Sequence, residues 1–454
     1  MIHMTEDQNH ALVTQLVTFA RTVTKEDIPA PVMHECKRSL IDSLGCITGG
    51  GSHPLVTRAT ATLSPFFGPA QASLLGQGKQ ADVLHAALLN GTAGAAYSFF
   101  DNYSAAHLHA GGSHAGALIA LGEWKAVSGQ ELLLAYATGM EIACRLTKAI
   151  AHAPAEMDVG WSTGGIVNGL SIALAAGRLL GLSQEQMVWA LGIAVSQAAG
   201  MRIAHGSMTA SMLYGQASQT GLRAAILARE GFTSPAHSLY GRFGYTELFA
   251  HKTNLPALVA GLGTVWEVAR TNYKPYPTDI AIHAQIQAML ALKCAHGFEG
   301  ADISGITVQS SKLAKDFCDR PAPANSLEAK FSSQHWIAAA GLHGRIGLDL
   351  GRDEVVHDPE IRRLRAATKL VEKGELAWNA TTLCVTLGSG QTVEAKVDHC
   401  IGSPAAPMTD DDIVEKCRSQ AAQSIGAERA DKLPDLCWSL EAVANAADLA
   451  RAAC

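Results

Sequence analysis

Residues 93–122 read AGAAYSFFDNYSAAHLHAGGSHAGALIALG. An apolar run stops at Phe99 and Phe100, a polar loop from Asp101 to Ser113 follows, and a small-residue helix restarts at His114. One carboxylate, one phenol and three imidazoles (Asp101, Tyr103, His107, His109, His114) thus crowd the junction of two helix-forming segments. Packing alone seldom gathers such groups, so the loop is the first candidate for a functional site.

Outward from it, the chain reads as mainly helical. Segments 11–23 and 27–45 have helical spacing, with Asp27 as candidate N-cap and Pro29 in the first turn, and Gly49–Gly51 ends the pair. Residues 73–80 form a compact connection, and a helix is expected over 81–89. Downstream, Ser128 with Glu131 and Ser183 with Gln186 have capping-box spacing, and Glu141 with Arg145 fits an i,i+4 pair on an outer face. The loop His152–Glu156 breaks the pattern before GWSTGG at 160–165. No fixed period runs through the chain, which disfavours a helical solenoid.

After Lys274-Pro275-Tyr276-Pro277 the texture changes. Helices over 283–295 and 329–348, a β-rich run at 306–310 and a hairpin with arms 382–387 and 391–397 define an α+β unit. From Thr409, followed by three aspartates, the chain turns helical again. The expected organisation is a large all-helical domain over 1–268, a smaller α+β lid domain over 269–399, and C-terminal helices over 400–454 that return to the first domain.

Composition narrows the function classes. The 454 residues are 48% hydrophobic and only 17% charged, too little charge to cover a monomer generously, so a homodimer is expected. The net charge of −6 and pI near 6.3 offer no basic field for a polyanion, and nucleic acid is an unfavourable partner. Apolar stretches fall short of a membrane span, and the start MIHMTEDQNH is not a signal peptide. Ten cysteines without CxxC spacing suit a reducing, cytoplasmic setting.

Gly160-Trp161-Ser162-Thr163-Gly164 matches the GxSxG spacing of serine hydrolases but lacks the preceding buried strand; a helix start that receives a carboxylate fits better. His107 and His109 have HxH spacing, but in a Gly/Ala loop with Asp101 as the only nearby carboxylate they make a weak metal set, and no metal is expected. Dinucleotide and phosphate-loop motifs are missing, so no cofactor is expected. Arg202, His205, Lys274, His283, Lys330 and His335 are the other polar points in apolar text, and together they supply positive charge for a small acidic substrate.

These segments occur in a recognisable order. LIDSLGC at 40–46, LLNGTAGAAYSFFDN at 88–102, SHAGALIALGEW at 113–124, GWSTGGIVNGLSIALAAGRLLGL at 160–182, the run at 206–235, YKPYP at 273–277 and RPAPANSLEAKFS at 320–332 resemble the MmgE/PrpD family along nearly the whole chain. That family contains 2-methylcitrate dehydratase, cis-aconitate decarboxylase and iminodisuccinate epimerase. The resemblance implies a helical domain, an α+β lid, a site between them, a homodimer and no cofactor.

Residue by residue, the family's first histidine matches His114, its lysines match Lys274 and Lys330, and of its acidic DFDDTH element only Asp101 survives. Ser162, Ala210 and Leu213 stand where the family carries histidine, lysine and histidine, and His335 stands where a tyrosine often follows. Fewer titratable groups for a leaving hydroxyl point the resemblance toward the epimerase branch, with iminodisuccinate as leading substrate and a dehydratase or decarboxylase as the alternative. On that reading His114 and Lys274 move the α-proton, Asp101 and Tyr103 orient the base, and His107, Arg202, His205, His283 and Lys330 bind carboxylates. A metal-dependent hydrolase and a non-catalytic ligand-binding member are the readings from other classes.

Overall fold

Small residues let this chain's helices approach closely, and that sets its architecture. The computed structural model describes residues 6–150, 160–250 and 253–454. The start of the chain and the loop His152–Glu156 discussed above lie outside the described residues.

The body is built from α1 (Glu6–Thr22), α2 (Ala30–Gly50), α3 (Pro54–Leu63), α4 (Val83–Gly94), α5 (Gly111–Lys125), α6 (Gly129–Ile150), α7 (Thr163–Leu179), α8 (Gln184–Val195), α9 (Met208–Arg229) and the short α10 (Tyr245–Phe249). Helices α4, α5 and α7 are buried along most of their length and pack against α9 and one another. Gly139 of α6 faces the His114 ring so closely that a Cβ there would sit 2.8 Å from its Cδ2. Two short hairpin-like pairings complete the body: β1 (Ala72–Leu74) with β2 (Lys79–Ala81), and β3 (Asn102–Tyr103) with β4 (Thr271–Asn272), both antiparallel.

The second unit holds α11 (His283–His296), β5 (Ile303–Ser310), α12 (Lys312–Cys318), α13 (Ser326–Ala329), α14 (Ser333–His343), α15 (Asp353–Val356), α16 (Pro359–Ala366), β6 (Thr368–Glu372), β7 (Thr381–Leu387) and β8 (Thr392–Val397). Its sheet has the order β6-β5-β7-β8, with β5 and β6 parallel and the other pairs antiparallel. This unit has its own apolar core around Ile286, Val308, Trp336, Ile361, Leu383 and Val385.

Helix α17 (Asp410–Ile425) then lies along α2, where a Cβ at Gly45 would meet the Cys417 backbone at 2.6 Å. The Lys416 ammonium reaches Asp42 of α2 at 2.6 Å in a fully buried ion pair. Side chains from Ile413 to Ala453 belong to the same core as the N-terminal helices. The fold is therefore mainly helical, with a smaller α+β domain inserted before a C-terminal return.

Several local expectations need correction. Asp27 does not cap α2: its carboxylate accepts from the backbone and hydroxyl of Thr24, and Pro29 occupies the cap position. The body core takes in Tyr273, so residues 269–273, read as lid, pack with the body through β4. Glu141 and Arg145 are not on an outer face but buried together at 2.6 Å. Arg145 also donates to the carbonyls of Ala260 and Val265, and Glu141 accepts from the amide of Val268. No helix among the described residues is long and apolar enough to cross a membrane.

Candidate active site

A cavity of about 140 Å3 opens where the loop after α4, the starts of α7 and α9, and the second domain meet. From the body come Ser98, Phe100, His107, His109, Ser162, Thr163, Gly164, Arg202, His205 and Tyr214; from the other side come Asp279, Leu313, Phe317, Arg320 and Phe331; Lys274 sits in the connection. Its size and lining suit a small metabolite.

The loop is held by its backbone. Tyr103 N–H donates to the Leu108 carbonyl at 2.7 Å and β3 pairs with β4, so residues 103–108 form a tight excursion. His107 at φ +46° and Ser98 at φ +53° sit in the left-handed region, a conformation that costs non-glycine residues roughly 1–3 kcal/mol. What the strain maintains is visible at both positions. The Ser98 carbonyl accepts from Lys274 Nζ at 3.0 Å, and the His107 ring reaches the cavity with its Nε2 unpartnered in the protein.

Lys274 is almost fully buried, with its ammonium 4.5 Å from the centre of the Phe100 ring. Burial brings its pKa down to about 8, against a partial opposing pull from Asp279. Phe100 also packs against His109, with ring centroids 4.3 Å apart. Its Nδ1 donates to the Asp101 carbonyl at 2.6 Å, and burial followed by the Lys274 charge holds its pKa well below 6.5. The imidazole is therefore neutral near pH 7, with its Nε2 as an unprotonated base.

Cations and aromatic rings alternate around the rest of the wall. The Arg202 guanidinium lies 4.4 Å from the centre of Phe317, the Arg320 guanidinium 5.4 Å from that of Phe331, and His205 stacks on Phe331 at 5.3 Å. The first turn of α7 faces the same space, and Ser162 makes no side-chain cap to it. Its amides add to the positive potential, as the expected carboxylate-receiving helix start requires.

The structure thus brings together Lys274, His107, Arg202 and His205 from the residues singled out in the sequence, with His109 and Ser162 beside them. Other assignments fail on geometry. His114 is sealed in the core, its Nδ1 donating to the Ala110 carbonyl at 2.9 Å and its Nε2 bonded to Ser171 Oγ at 2.9 Å. Its basic nitrogen, Nε2, lies against Ser171 inside the core and not on the cavity. Tyr103 points into the body and donates to Glu267 at 2.6 Å, so it orients nothing in the cavity.

His283 is buried away from the cavity, edge-on to Tyr276, and burial with the charges of Lys274 and Lys416 keeps it neutral. It cannot serve as a carboxylate-binding cation. Lys330 lies outside the cavity lining and donates to the Ala96 carbonyl, tethering the second domain to the end of α4. Asp101 borders a smaller void behind His109; both its carboxylate oxygens accept from Gly111 N–H at 3.1 Å, and burial, with Asp42 nearby, lifts its pKa to about 7. His335 donates to the Leu350 carbonyl inside the second domain.

Asp279, Arg320, Tyr214 and the two lid phenylalanines are site residues that the sequence reading passed over. Asp279 and Arg320 adjoin the quoted YKPYP and RPAPANS segments, which was the one signal available. Among the described residues no group of three His, Cys, Asp or Glu stands together as a metal set, and none of them gives the HxH pair a third ligand.

Fold and site together define a mainly helical protein with a smaller α+β domain and a small cation-lined cavity where the two meet. The MmgE/PrpD N-terminal domain matches residues 14–257 and the C-terminal domain residues 276–440, and the chain belongs to the MmgE/PrpD family. It is 27% identical over 468 aligned positions to a cis-aconitate decarboxylase-like protein of Aspergillus oryzae, covering 96% of each chain. It is 25% identical to a cis-aconitate decarboxylase of Aspergillus terreus, covering 96% of this chain and 95% of that one. Against the cis-aconitate decarboxylase of Mus musculus it is 26% identical, covering 92% and 88%.

Proposed function

We propose that this protein is a lyase that acts on a small polycarboxylate, in the manner of a decarboxylase or dehydratase, with the chemistry done by its own side chains. The observation that carries this reading is the joint presence, on one 140 Å3 cavity, of Arg202, Arg320 and Lys274 with a histidine whose hydrogen bond fixes its basic nitrogen. Its decarboxylase-named relatives support the lyase over the epimerase expected from the sequence.

The two guanidinium groups hold substrate carboxylates, each with a planar fork of donors. When a C–C or C–H bond beside a carboxylate breaks, negative charge spreads onto that carboxylate, and the Lys274 ammonium and the α7 amides stabilise it. In decarboxylation the electron pair left by departing CO2 takes a proton, and the ammonium of Lys274 is a suitable donor near neutral pH. In dehydration the His109 Nε2 takes the α-proton and the Lys274 ammonium gives one to the hydroxyl, which leaves as water.

The test is a turnover screen of cis-aconitate, citrate and 2-methylcitrate, read by CO2 release and by ultraviolet absorbance of the conjugated alkene. Turnover of at least one supports the reading. Failure of all three to react or to bind refutes it.

Epimerisation of a substrate such as iminodisuccinate is the second reading, favoured by the placing of His109 and Lys274 as two proton-handling groups that both pack against the Phe100 ring. Inversion of a single stereoisomer with deuterium wash-in from D2O would select it. We also propose a homodimer, on the low charge content and the exposed apolar side chains of Ile203 and Phe243. Sedimentation velocity at micromolar concentration checks that.

A further inference from the structure

A pocket built only to hold carboxylates gains nothing from a carboxylate in its own wall. Yet Asp279 lines this cavity, half-buried, and among the described lining residues it is the one acid. It is firmly placed: its amide donates to the Lys330 carbonyl at 3.1 Å, the preceding Thr278 hydroxyl donates to the same carbonyl at 2.6 Å, and its Oδ1 accepts from Ala281 N–H at 3.0 Å.

A carboxylate has about four lone-pair sites, so the Ala281 amide leaves acceptor capacity for a ligand in the cavity. The charge is central to the site, since Lys274, His107 and His205 all feel its attraction. Capping three residues of 3-10 helix and balancing Lys274 would account for an acid here, but would not require it to face the substrate space.

Resting on the polycarboxylate reading above, we propose that Asp279 is a specificity-determining residue that accepts a hydrogen bond from a substrate hydroxyl, so that the site selects hydroxy polycarboxylates over those bearing carboxylates alone. A substrate ammonium would satisfy the same acceptor, but it would have to sit among Lys274, Arg202 and Arg320, which repel it. A neutral hydroxyl donor meets no such penalty. A substrate with carboxylates only leaves the remaining lone pairs of Asp279 without a donor and faces its negative charge, and a site built to hydrogen-bond a substrate hydroxyl discriminates against ligands lacking it.

Citrate and tricarballylate make a matched pair, because they carry the same three carboxylates and differ by one hydroxyl. Calorimetric titration of the full-length protein should give citrate the tighter binding by about tenfold to a hundredfold, the range contributed by one hydrogen bond to a charged group. Asp279→Ala should bring the two ligands within about twofold, with tricarballylate bound as well as before or better because a repelling charge is gone. Retained tricarballylate binding also shows that the variant is folded. Equal affinities in the native protein, or an undiminished preference in Asp279→Ala, overturn the inference while leaving the polycarboxylate reading standing. Failure of both ligands to bind the native protein overturns the inference, and the polycarboxylate reading falls with it only if cis-aconitate and 2-methylcitrate also neither bind nor react.

Discussion

His109 donates its Nδ1 proton to the Asp101 carbonyl at 2.6 Å, and because a carbonyl can only accept, the bond fixes the tautomer and leaves Nε2 as the basic nitrogen on the cavity side. Five residues on, His114 has both nitrogens occupied inside the core. The two imidazoles therefore have opposite expected mutant phenotypes. His109→Gln should lower kcat by roughly 10² to 10⁴, the usual worth of a positioned acid or base, with little change in melting temperature. His114→Ala should cost about 2–4 kcal/mol of stability by leaving a cavity and unpairing Ser171, while the folded fraction keeps most of its activity. Activity assays alongside thermal melts check both, and the reverse pattern would return the catalytic role to His114.

Lys274 imposes a pH limit. Its ammonium is held over Phe100 and against the Ser98 carbonyl with a pKa near 8, so the cationic form dominates at pH 7 and is lost as pH rises through 8. Since the charge is needed to bind or stabilise carboxylate, kcat/KM should fall on the alkaline side with a midpoint near that value. Lys274→Arg should move the fall upward by more than a unit, even at reduced rate, because guanidinium does not titrate there. An unmoved alkaline limb would assign it to another group.

Much of this architecture was legible in the sequence because helical periodicity and capping boxes are local. Ser183 with Gln186 forms the reciprocal cap expected of it, and Ser128 accepts from the Glu131 amide; the full box of Thr409 with Asp412 adds to the helix start read there. The choice among three imidazoles within eight residues was not local: it depends on the start of α5 at Gly111, which turns residue 114 toward Gly139 and Ser171 and leaves residue 109 in the loop ahead. Asp279 and Arg320 were illegible for a related reason. Their places in the site are set by how the second domain packs on the body, and no spacing within YKPYPTD or RPAPANS encodes that. The strands at 72–74 and 79–81 are three residues each, too short for an alternating pattern to show.

The Lys330 tether makes stability depend on pH in a definite direction. This lysine is buried with a pKa lowered to about 8, against 10.5 when unfolded. Between those values the unfolded chain binds more protons than the folded one, so stability contributed at this position rises with pH from about 8 to 10.5. The stability difference between the native protein and Lys330→Met, followed by urea melts from pH 7.5 to 10, should shift in favour of the native protein as pH increases. Lysine 274 titrates in both proteins and cancels from the difference. A flat difference would mean that the Lys330 amine is already solvated in the folded state.

The buried pair of Glu141 and Arg145 predicts the largest structural loss. An i,i+4 spacing cannot distinguish an exposed pair from a buried one when the whole helix is apolar, and here the deciding partners arrive more than 100 residues later in the chain. Arg145 binds the carbonyls of Ala260 and Val265 as well as Glu141, while Glu141 also satisfies the Val268 amide, so the pair fastens residues 258–268 onto α6. Those residues lead directly into β4 and Lys274. Glu141→Leu leaves a buried guanidinium without its counter-charge and should cost about 3–5 kcal/mol, the penalty for removing one partner of a buried pair. Replacing both, as Glu141→Leu with Arg145→Met, should recover part of that loss because no charge remains buried, yet the segment before Lys274 should stay loosened. Hydrogen exchange over 258–272 would then remain fast while the melting temperature partly recovers. A double variant with native protection across that segment would show that the pair is not what holds it.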